Sequence, residues 1–95
     1  MRVISIKRLR DFWTKHPRAE TNLRSWYTVV KLSDWKHFPE LKLSFPTADI
    51  VGRRTVFDIM GNHFRLIARV NYKTKTVFVL HVLTHKEYDG KKWIE

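Results

Sequence analysis

The stretch TVFDIMGNHFRLIARVNYKTKTVFVLHVLT, residues 55–84, decides the fold of this chain. It contains three runs rich in β-branched and aromatic residues, at 55–60, 63–71 and 76–84, and each is long enough for a strand. Only Gly61 and Asn62 separate the first two runs, and both tolerate positive φ, which favours a tight hairpin. The segment NYKTK at 71–75 makes a looser second turn. The three runs therefore predict an antiparallel meander.

Side chains alternate along the middle run, because successive residues of a strand point to opposite faces of the sheet. One face is apolar and is expected to meet the helices: Phe64, Leu66, Ala68 and Val70. The other face is expected to be the open side of the sheet, and it contains His63, Arg65, Ile67 and Arg69. Arginine binds phosphate oxygens through two parallel hydrogen bonds and keeps its charge, so this face suits a phosphodiester backbone.

The next run places His81 and Leu83 on one face, and the same alternation extends to His85. Periodicity alone does not say whether this is the arginine face.

The N-terminal half predicts a short strand and two helices. The strand is expected at 3–6, and Ser5 is positioned to cap a helix that ends at His16 and Pro17. Pro17 suits the first position of a second helix, which we expect to end at 33–34. The apolar stripes are Leu9, Phe12 and Trp13 in the first helix, and Leu23, Trp26, Tyr27 and Val30 in the second.

Residues 41–52 lose the helical period and contain Pro46, Asp49 and Gly52, so we expect an irregular loop there. A short strand and two helices packed on an antiparallel sheet make an α+β fold. With 95 residues and no repeat or linker, residues 1–95 are expected to form one domain.

The charge of the chain points to a polyanionic partner. Nineteen Lys and Arg against nine Asp and Glu leave a formal net charge of +10, so nucleic acid is the first candidate. No apolar run approaches the roughly 20 residues that span a bilayer. The basic N-terminus does not resemble a secretory signal, which favours a cytoplasmic protein. The absence of Cys excludes disulfides, thiolate nucleophiles and Cys-based zinc sites.

Two segments carry a family resemblance: VFDIMGNHFRLIARVNY at 56–72 and VLTHKEYD at 82–89. In order and spacing they resemble the HigB-type toxins of bacterial toxin-antitoxin pairs, which belong to the RelE-like superfamily of ribosome-dependent mRNA interferases. Weaker similarity around Trp26, Trp35 and FPTAD at 45–49 extends the resemblance over nearly the whole chain. The sequence departs from the pattern at Asp58, where the family has Asn, and at Lys86, where a small residue is common.

The resemblance implies a metal-independent endoribonuclease with no cofactor, which cleaves messenger RNA on the ribosome and is inhibited by a HigA-like helix-turn-helix antitoxin. In such enzymes the ribose 2′-hydroxyl attacks the adjacent phosphate. That reaction needs a base, an acid and cations that hold the extra charge on phosphorus.

Three residues are the catalytic candidates. His85 is the first choice for general base or acid, because imidazole side chains typically titrate at about pH 6.5. Arg65 is the preferred transition-state clamp, and Tyr88 could stack on a base or supply its hydroxyl. The expected RNA-binding cations are Arg69, Lys86, Lys91 and Lys92. No metal site is expected, because His81 and His85 on a strand would lie roughly 13 Å apart.

Each candidate also has a structural interpretation. His85 could be a capping or surface group, Tyr88 a lid over the core, and Arg65 a solvated strand residue. The rival functions are a noncatalytic RNA- or DNA-binding module and a degenerate toxin that binds only ribosomes or an antitoxin. Trp13, Trp26 and Trp35 are interpreted as core or antitoxin-contact residues, and Trp93 is left unassigned.

Overall fold

The computed structural model describes residues 1–94. In chain order its elements are β1 (Arg2–Ile4), α1 (Ile6–Lys15), a 3-10 turn (Pro17–Ala19), α2 (Glu20–Leu32), α3 (Phe38–Ser44), β2 (Asp49–Val51), β3 (Arg54–Ile59), β4 (Phe64–Asn71), β5 (Thr76–Thr84) and α4 (His85–Asp89). Within these residues the strands form one sheet of order β1-β5-β4-β3-β2.

The predicted α+β class and the meander are confirmed. Strands β3, β4 and β5 pair antiparallel in succession, while β1 lies parallel to β5 with Val3 opposite Val77. Helix α1 ends at Lys15 and α2 at Leu32, as expected, and Pro17 opens a 3-10 turn that leads directly into α2.

The connection between β3 and β4 differs in detail from the predicted hairpin. It includes residues 60–63, and the left-handed residues are Met60 (φ 55°) and Gly61 (φ 66°) instead of Gly61 and Asn62. The second turn is as expected, since the Asn71 side chain accepts hydrogen bonds from the backbone N–H groups of Lys73 and Thr74. Side-chain amides favour turns in this way.

Two local predictions in the N-terminal half are wrong. Ser5 occupies the N-cap position of α1, but its side chain makes no capping hydrogen bond and its φ is 74°. Residues 41–52 are not one irregular loop, because α3 and β2 both fall partly or wholly within them. Helix α3 forms because Leu41 is fully buried and Pro39 is tolerated in its first turn. Strand β2 is a three-residue edge strand, too short to give a periodic signal.

The main core lies between the helices and one face of the sheet, as predicted for the apolar face of β4. The buried residues from the sheet are Phe57, Ile59, Phe64, Leu66, Ala68, Val77 and Val79. Opposite them pack Leu9, Phe12, Ala19, Leu23, Trp26, Val30, Trp35, Leu41 and Ala48. The apolar stripes of α1 and α2 therefore face the sheet, which fixes the arginine face of β4 on the opposite side.

The second face of the sheet is not fully open, contrary to expectation. Val56, Ile67 and Trp93 form a second buried cluster, and Val51, Leu83 and Tyr88 pack against it. Trp93 is only 4% exposed, because the chain after α4 folds back across the sheet. The tail thus covers the centre of this face and leaves Arg65 and Arg69 on either side of the covered centre.

A β-bulge in β5 brings additional side chains to the same face. Ile67 pairs with His81 and Ala68 with Val79, so Leu80 has no partner across the ladder. As a result His81 and Leu83 share the arginine face, and Phe78 joins them opposite Arg69. The structure therefore answers the question of register that periodicity left open.

Among residues 1–94, no helix combines the length and apolar character that crossing a bilayer requires.

The second cluster predicts that the tail contributes measurably to stability. Trp93→Ala should lower the free energy of unfolding by about 3 kcal/mol, because it removes a buried indole that covers Val56 and Ile67. Chemical denaturation of the purified chain measures this. Ile94→Ala is the matched control, since Ile94 is 45% exposed and should cost much less. Equal losses for the two variants would mean that the tail does not seal the sheet.

Candidate functional site

The register between β3 and β4 places Arg65 directly opposite Asp58. The guanidinium Nε of Arg65 lies 3.1 Å from Oδ1 of Asp58, and the two side chains are 13% and 28% exposed. The departure at Asp58 from the family pattern therefore puts a carboxylate on the arginine face. An ion pair this sheltered from water is screened less by salt than a surface pair.

Arg65 is held by more than its ion pair. Its Nη1 group donates a hydrogen bond to the Phe64 carbonyl at 3.3 Å, and its Cζ atom lies 5.2 Å from the centre of the Tyr88 ring. Tyr88 in turn stacks on Trp93 with ring centres 4.9 Å apart. A guanidinium above an aromatic face is favourable electrostatically. Arg65 is therefore confined between a carboxylate on one side and the tail on the other.

Helix α4 begins with a capping box, which fixes the position of His85. The Thr84 hydroxyl accepts from the Glu87 N–H, and the Glu87 carboxylate accepts from the Thr84 N–H. The backbone N–H of His85 donates to the His63 carbonyl at 3.1 Å, which ties α4 to the β3–β4 connection. The expectation that His85 continues the face of β5 is therefore wrong, since it starts a helix.

The helical spacing brings Asp89 to His85. Nδ1 of His85 lies 3.0 Å from Oδ2 of Asp89, and the histidine side chain is 50% exposed. A carboxylate that accepts from Nδ1 holds the imidazole in one orientation and makes Nε2 the nitrogen that exchanges protons. This arrangement is typical of a histidine positioned for general acid or base chemistry.

The pairing of β4 with β5 brings the catalytic candidates to one end of the sheet. Phe64 is opposite Thr84, the last residue of β5, so Arg65 lies beside the end of that strand. His85 is the next residue in the chain after β5. Tyr88 follows on the same helix and contacts Arg65. Tyr88 thus brings a phenol against the Arg65 guanidinium, and His85 is the first residue of the same five-residue helix. Phosphodiester cleavage through an internal hydroxyl requires a proton-transfer group and a cation of this kind.

The four RNA-binding candidates are distributed around this end of the molecule and beyond it. Lys86 and Lys92 line a groove of about 470 Å³, whose other walls are His81, Leu83, Glu87, Gly90 and Trp93. Lys91 is exposed in the turn after α4. Arg69 lies farther along β4, where its guanidinium packs 5.9 Å from the Phe78 ring centre. At roughly 3.3 Å per residue it is about 13 Å from Arg65, so the structure does not bring it to the same site.

Other groups that the sequence suggested belong elsewhere. Trp26 and Trp35 are buried in the main core, and Trp13 lies on α1 under the Arg24 guanidinium, 4.6 Å from its ring centre. Within residues 1–94, no group of three or more His, Cys, Asp or Glu side chains is arranged to hold a metal ion.

Sequence reasoning missed Asp89 as a partner of His85 and left Trp93 unassigned. A signal for Asp89 was available, because Thr84-x-x-Glu87 is a capping box and places His85 and Asp89 one helical turn apart. No comparable local signal existed for Trp93, since its burial depends on how the tail returns to a distant part of the sheet.

The chain is similar to known proteins over most of its length. Residues 19–91 match the family model of HigB toxins, described as the RelE-like toxic component of a toxin-antitoxin system. The chain is 35% identical to the mRNA interferase HigB of Escherichia coli O6:H1, over 94% of this chain and 89% of the relative. It is 32% identical to the mRNA interferase toxin HigB of Escherichia coli K12 and to the mRNA interferase HigB of Shigella flexneri, over 94% of this chain and 88% of each relative.

The ion pair generates a prediction about affinity. Asp58→Asn should tighten binding of a short single-stranded RNA roughly three- to tenfold at low salt, because it removes a negative charge beside Arg65. The amide oxygen of Asn can still accept from the guanidinium, so the geometry is retained. Fluorescence anisotropy titrations measure the affinity.

The control for this prediction is Asp34→Asn. It removes the same charge from an exposed loop position, where Asp34 pairs with Lys75 at 3.0 Å. If the Asp58 variant binds RNA no better than this control, the carboxylate does not compete with phosphate for Arg65.

Proposed function

Because the chain belongs to the HigB family of RelE-like toxins, we propose that it is an mRNA interferase that cuts messenger RNA on the ribosome. The names of the relatives supply the reaction class. The observation in this chain that supports a catalytic role is the His85–Asp89 pair, on the same short helix as Tyr88, whose ring contacts Arg65. A surface that only binds phosphates does not require an oriented imidazole.

In the proposed reaction the ribose 2′-oxygen attacks the adjacent phosphorus, and the bond from phosphorus to the 5′-oxygen breaks. The products are a 2′,3′-cyclic phosphate end and a 5′-hydroxyl end. His85 either removes the proton of the 2′-hydroxyl or donates a proton to the departing 5′-oxygen, through Nε2. Asp89 stabilises the imidazolium in either role, because its carboxylate lies 3.0 Å from Nδ1.

Arg65 is proposed to bind the phosphate oxygens as negative charge builds up in the transition state. Its contacts with Asp58 and Tyr88 hold the guanidinium in place, so little reorganisation is needed when the substrate binds. Tyr88 could donate its hydroxyl or offer its ring to a base. Its stacking on Trp93 supports the lid interpretation as well, which is compatible with a role for the hydroxyl but occupies one face of the ring.

Arg69, Lys86, Lys91 and Lys92 are proposed to bind the RNA backbone. Lys86 and Lys92 line the groove beside α4, next to the proposed catalytic groups. The proposed chemistry uses these cations and His85 and needs no metal ion. We further propose a helix-turn-helix antitoxin of the HigA type as the partner and the cytoplasm as the site of action, since translating ribosomes are the target.

One observation favours a second candidate function. The Asp58–Arg65 ion pair neutralises the main candidate cation, which would suit a toxin that binds ribosomes without cutting. Cleavage assays separate these two functions directly.

The first test of the proposed function is cleavage in the presence and absence of ribosomes. Induction of the wild-type chain should arrest growth and create new messenger RNA ends, which primer extension detects. Purified protein should produce the same ends only when ribosomes are added. Equally fast cleavage of naked RNA would contradict ribosome dependence, and ribosome binding without any new ends would support the binding-only toxin.

The second test separates chemistry from binding at the three catalytic candidates. His85→Gln should reduce cleavage by roughly 10²-fold or more while ribosome binding is retained, because Gln cannot exchange a proton. Arg65→Lys should be similarly inactive, since Lys keeps the charge but loses the planar two-pronged geometry. Tyr88→Phe keeps the ring and removes the hydroxyl, so a loss of cleavage would assign a catalytic role to the hydroxyl. Cleavage rates and ribosome affinity are measured for each variant.

His37→Gln is the matched control for the histidine variant, because His37 is exposed before α3 and its side chain does not cap that helix. It should cleave at the wild-type rate. Thermal melts confirm that each variant folds. Near-wild-type cleavage by all three folded variants would show that this end of the sheet is structural.

A further inference from the structure

A second basic groove lies on the arginine face. Trp93 separates it from the proposed catalytic groups. It has a volume of about 460 Å³, and its walls are Val51, Gly52, Arg53, Arg54, Arg69, Trp93 and Ile94. Arg53 and Arg54 form no part of the site described above. Three arginine side chains and three apolar side chains therefore line one groove.

The local backbone explains why these arginines converge. Gly52 has a φ of 62° in the turn between β2 and β3, and Arg53 and Arg54 follow it at once. Thr55 of β3 pairs with Ala68 of β4, so Arg54 and Arg69 are the next residues along the two strands and lie across from each other. Because neighbouring residues of a strand point to opposite faces, both arginines lie on the face opposite to Thr55 and Ala68. The turn and the register thus direct residues that are distant in sequence toward one place.

The charge of this groove indicates an anionic ligand. Among the described residues, those that line the groove include no Asp or Glu, while Asp49 lies two residues before Val51 on β2. Arg53 and Arg69 are exposed, so their guanidiniums are accessible to a ligand. Arginine is the side chain best suited to grip a phosphate, because it binds the oxygens through two parallel hydrogen bonds and keeps its charge.

The groove and the proposed catalytic site lie on either side of the same stacked pair of rings. Trp93 stacks on Tyr88 at one end and lines the groove at the other. Arg65 and Arg69 point to the same face of β4, about 13 Å apart at roughly 3.3 Å per residue. An RNA strand with its reacting phosphate at Arg65 would therefore reach this groove within about four stacked nucleotides.

We propose that the Arg53–Arg54–Arg69 groove binds the phosphodiester backbone of the substrate RNA strand, a few nucleotides from the phosphate that is cleaved. This inference rests on the proposed function, since it extends the path of the same strand. The groove acts as a subsite for the flanking RNA, which sets how strongly longer substrates bind.

The test uses the full chain with His85→Gln, so that the RNA stays intact, and two single-stranded RNAs. One is a dinucleotide, and the other is about eight nucleotides long, enough to span the face at about 3.4 Å per nucleotide. Arg53→Ala together with Arg54→Ala should weaken binding of the longer strand and leave the dinucleotide unaffected. The slope of log affinity against log salt should fall by about 1.4, or about 0.7 per lost phosphate contact.

The matched control is Lys36→Ala together with Lys42→Ala. Both lysines are exposed on the helical side, and this pair lowers the formal charge of +10 by the same two units. The control should keep the parental salt slope for both RNAs. Arg53 is exposed, and Arg53→Ala alone should lower the salt slope by half as much as the double variant. The single variant replaces the double variant in the test if the half-buried Arg54 is needed for folding.

The outcomes distinguish the alternatives. An arginine variant that matches the lysine control overturns the proposal, and so does one that weakens the dinucleotide and the longer strand equally. Unchanged RNA binding with weaker binding to ribosomes would assign the groove to ribosomal RNA, and weaker antitoxin binding alone would assign it to an acidic protein segment. The proposed function itself fails separately, if the wild-type chain cuts no messenger RNA with ribosomes present.

Discussion

The stacking of Trp93 on Tyr88 is the contact on which both sites depend. It closes the tail over Val56 and Ile67, and in doing so it holds α4 against the end of β5. A helix of five residues is far too short to be stable alone, and this packing adds to the support that α4 receives from its capping box and from the His85–His63 backbone hydrogen bond. The Trp93 indole N–H also donates to the Tyr88 carbonyl at 2.8 Å, which secures the last turn. A single buried side chain therefore contributes to both the proposed catalytic end and the basic groove.

The arginines at the two ends of the arginine face differ in their exposure to solvent. At one end Arg65 is paired with Asp58 and sheltered, which favours a precise position over a strong long-range field. At the other end Arg53 and Arg69 are exposed and suited to attract phosphates from a distance. One strand of the sheet thus carries the guanidinium that we propose for transition-state stabilisation and the one that we propose for affinity, separated by the apolar cover of the tail.

Much of the fold could be predicted because its signals are local. Alternation along β4 assigned Leu66 and Ala68 to the core and Arg65 and Arg69 to the other face, and the turn at Asn71 carries its own hydrogen bonds. The failures occurred where distant contacts decide. The bulge at Leu80 changes which residues of β5 face the arginines, and the burial of Trp93 depends on the return of the tail. The pairing of Arg65 with Asp58 needed a register that composition does not specify.

The position of the tail has a consequence for substrate binding. Tyr88 contacts Arg65, and Trp93 lines the basic groove, so the stacked pair of rings borders both the proposed catalytic site and the groove. A strand of RNA that contacted both places would bind only the conformation in which these rings are packed, and by linkage its binding would stabilise that packing. The packing of Trp93 and the position of the proposed catalytic groups are therefore energetically coupled.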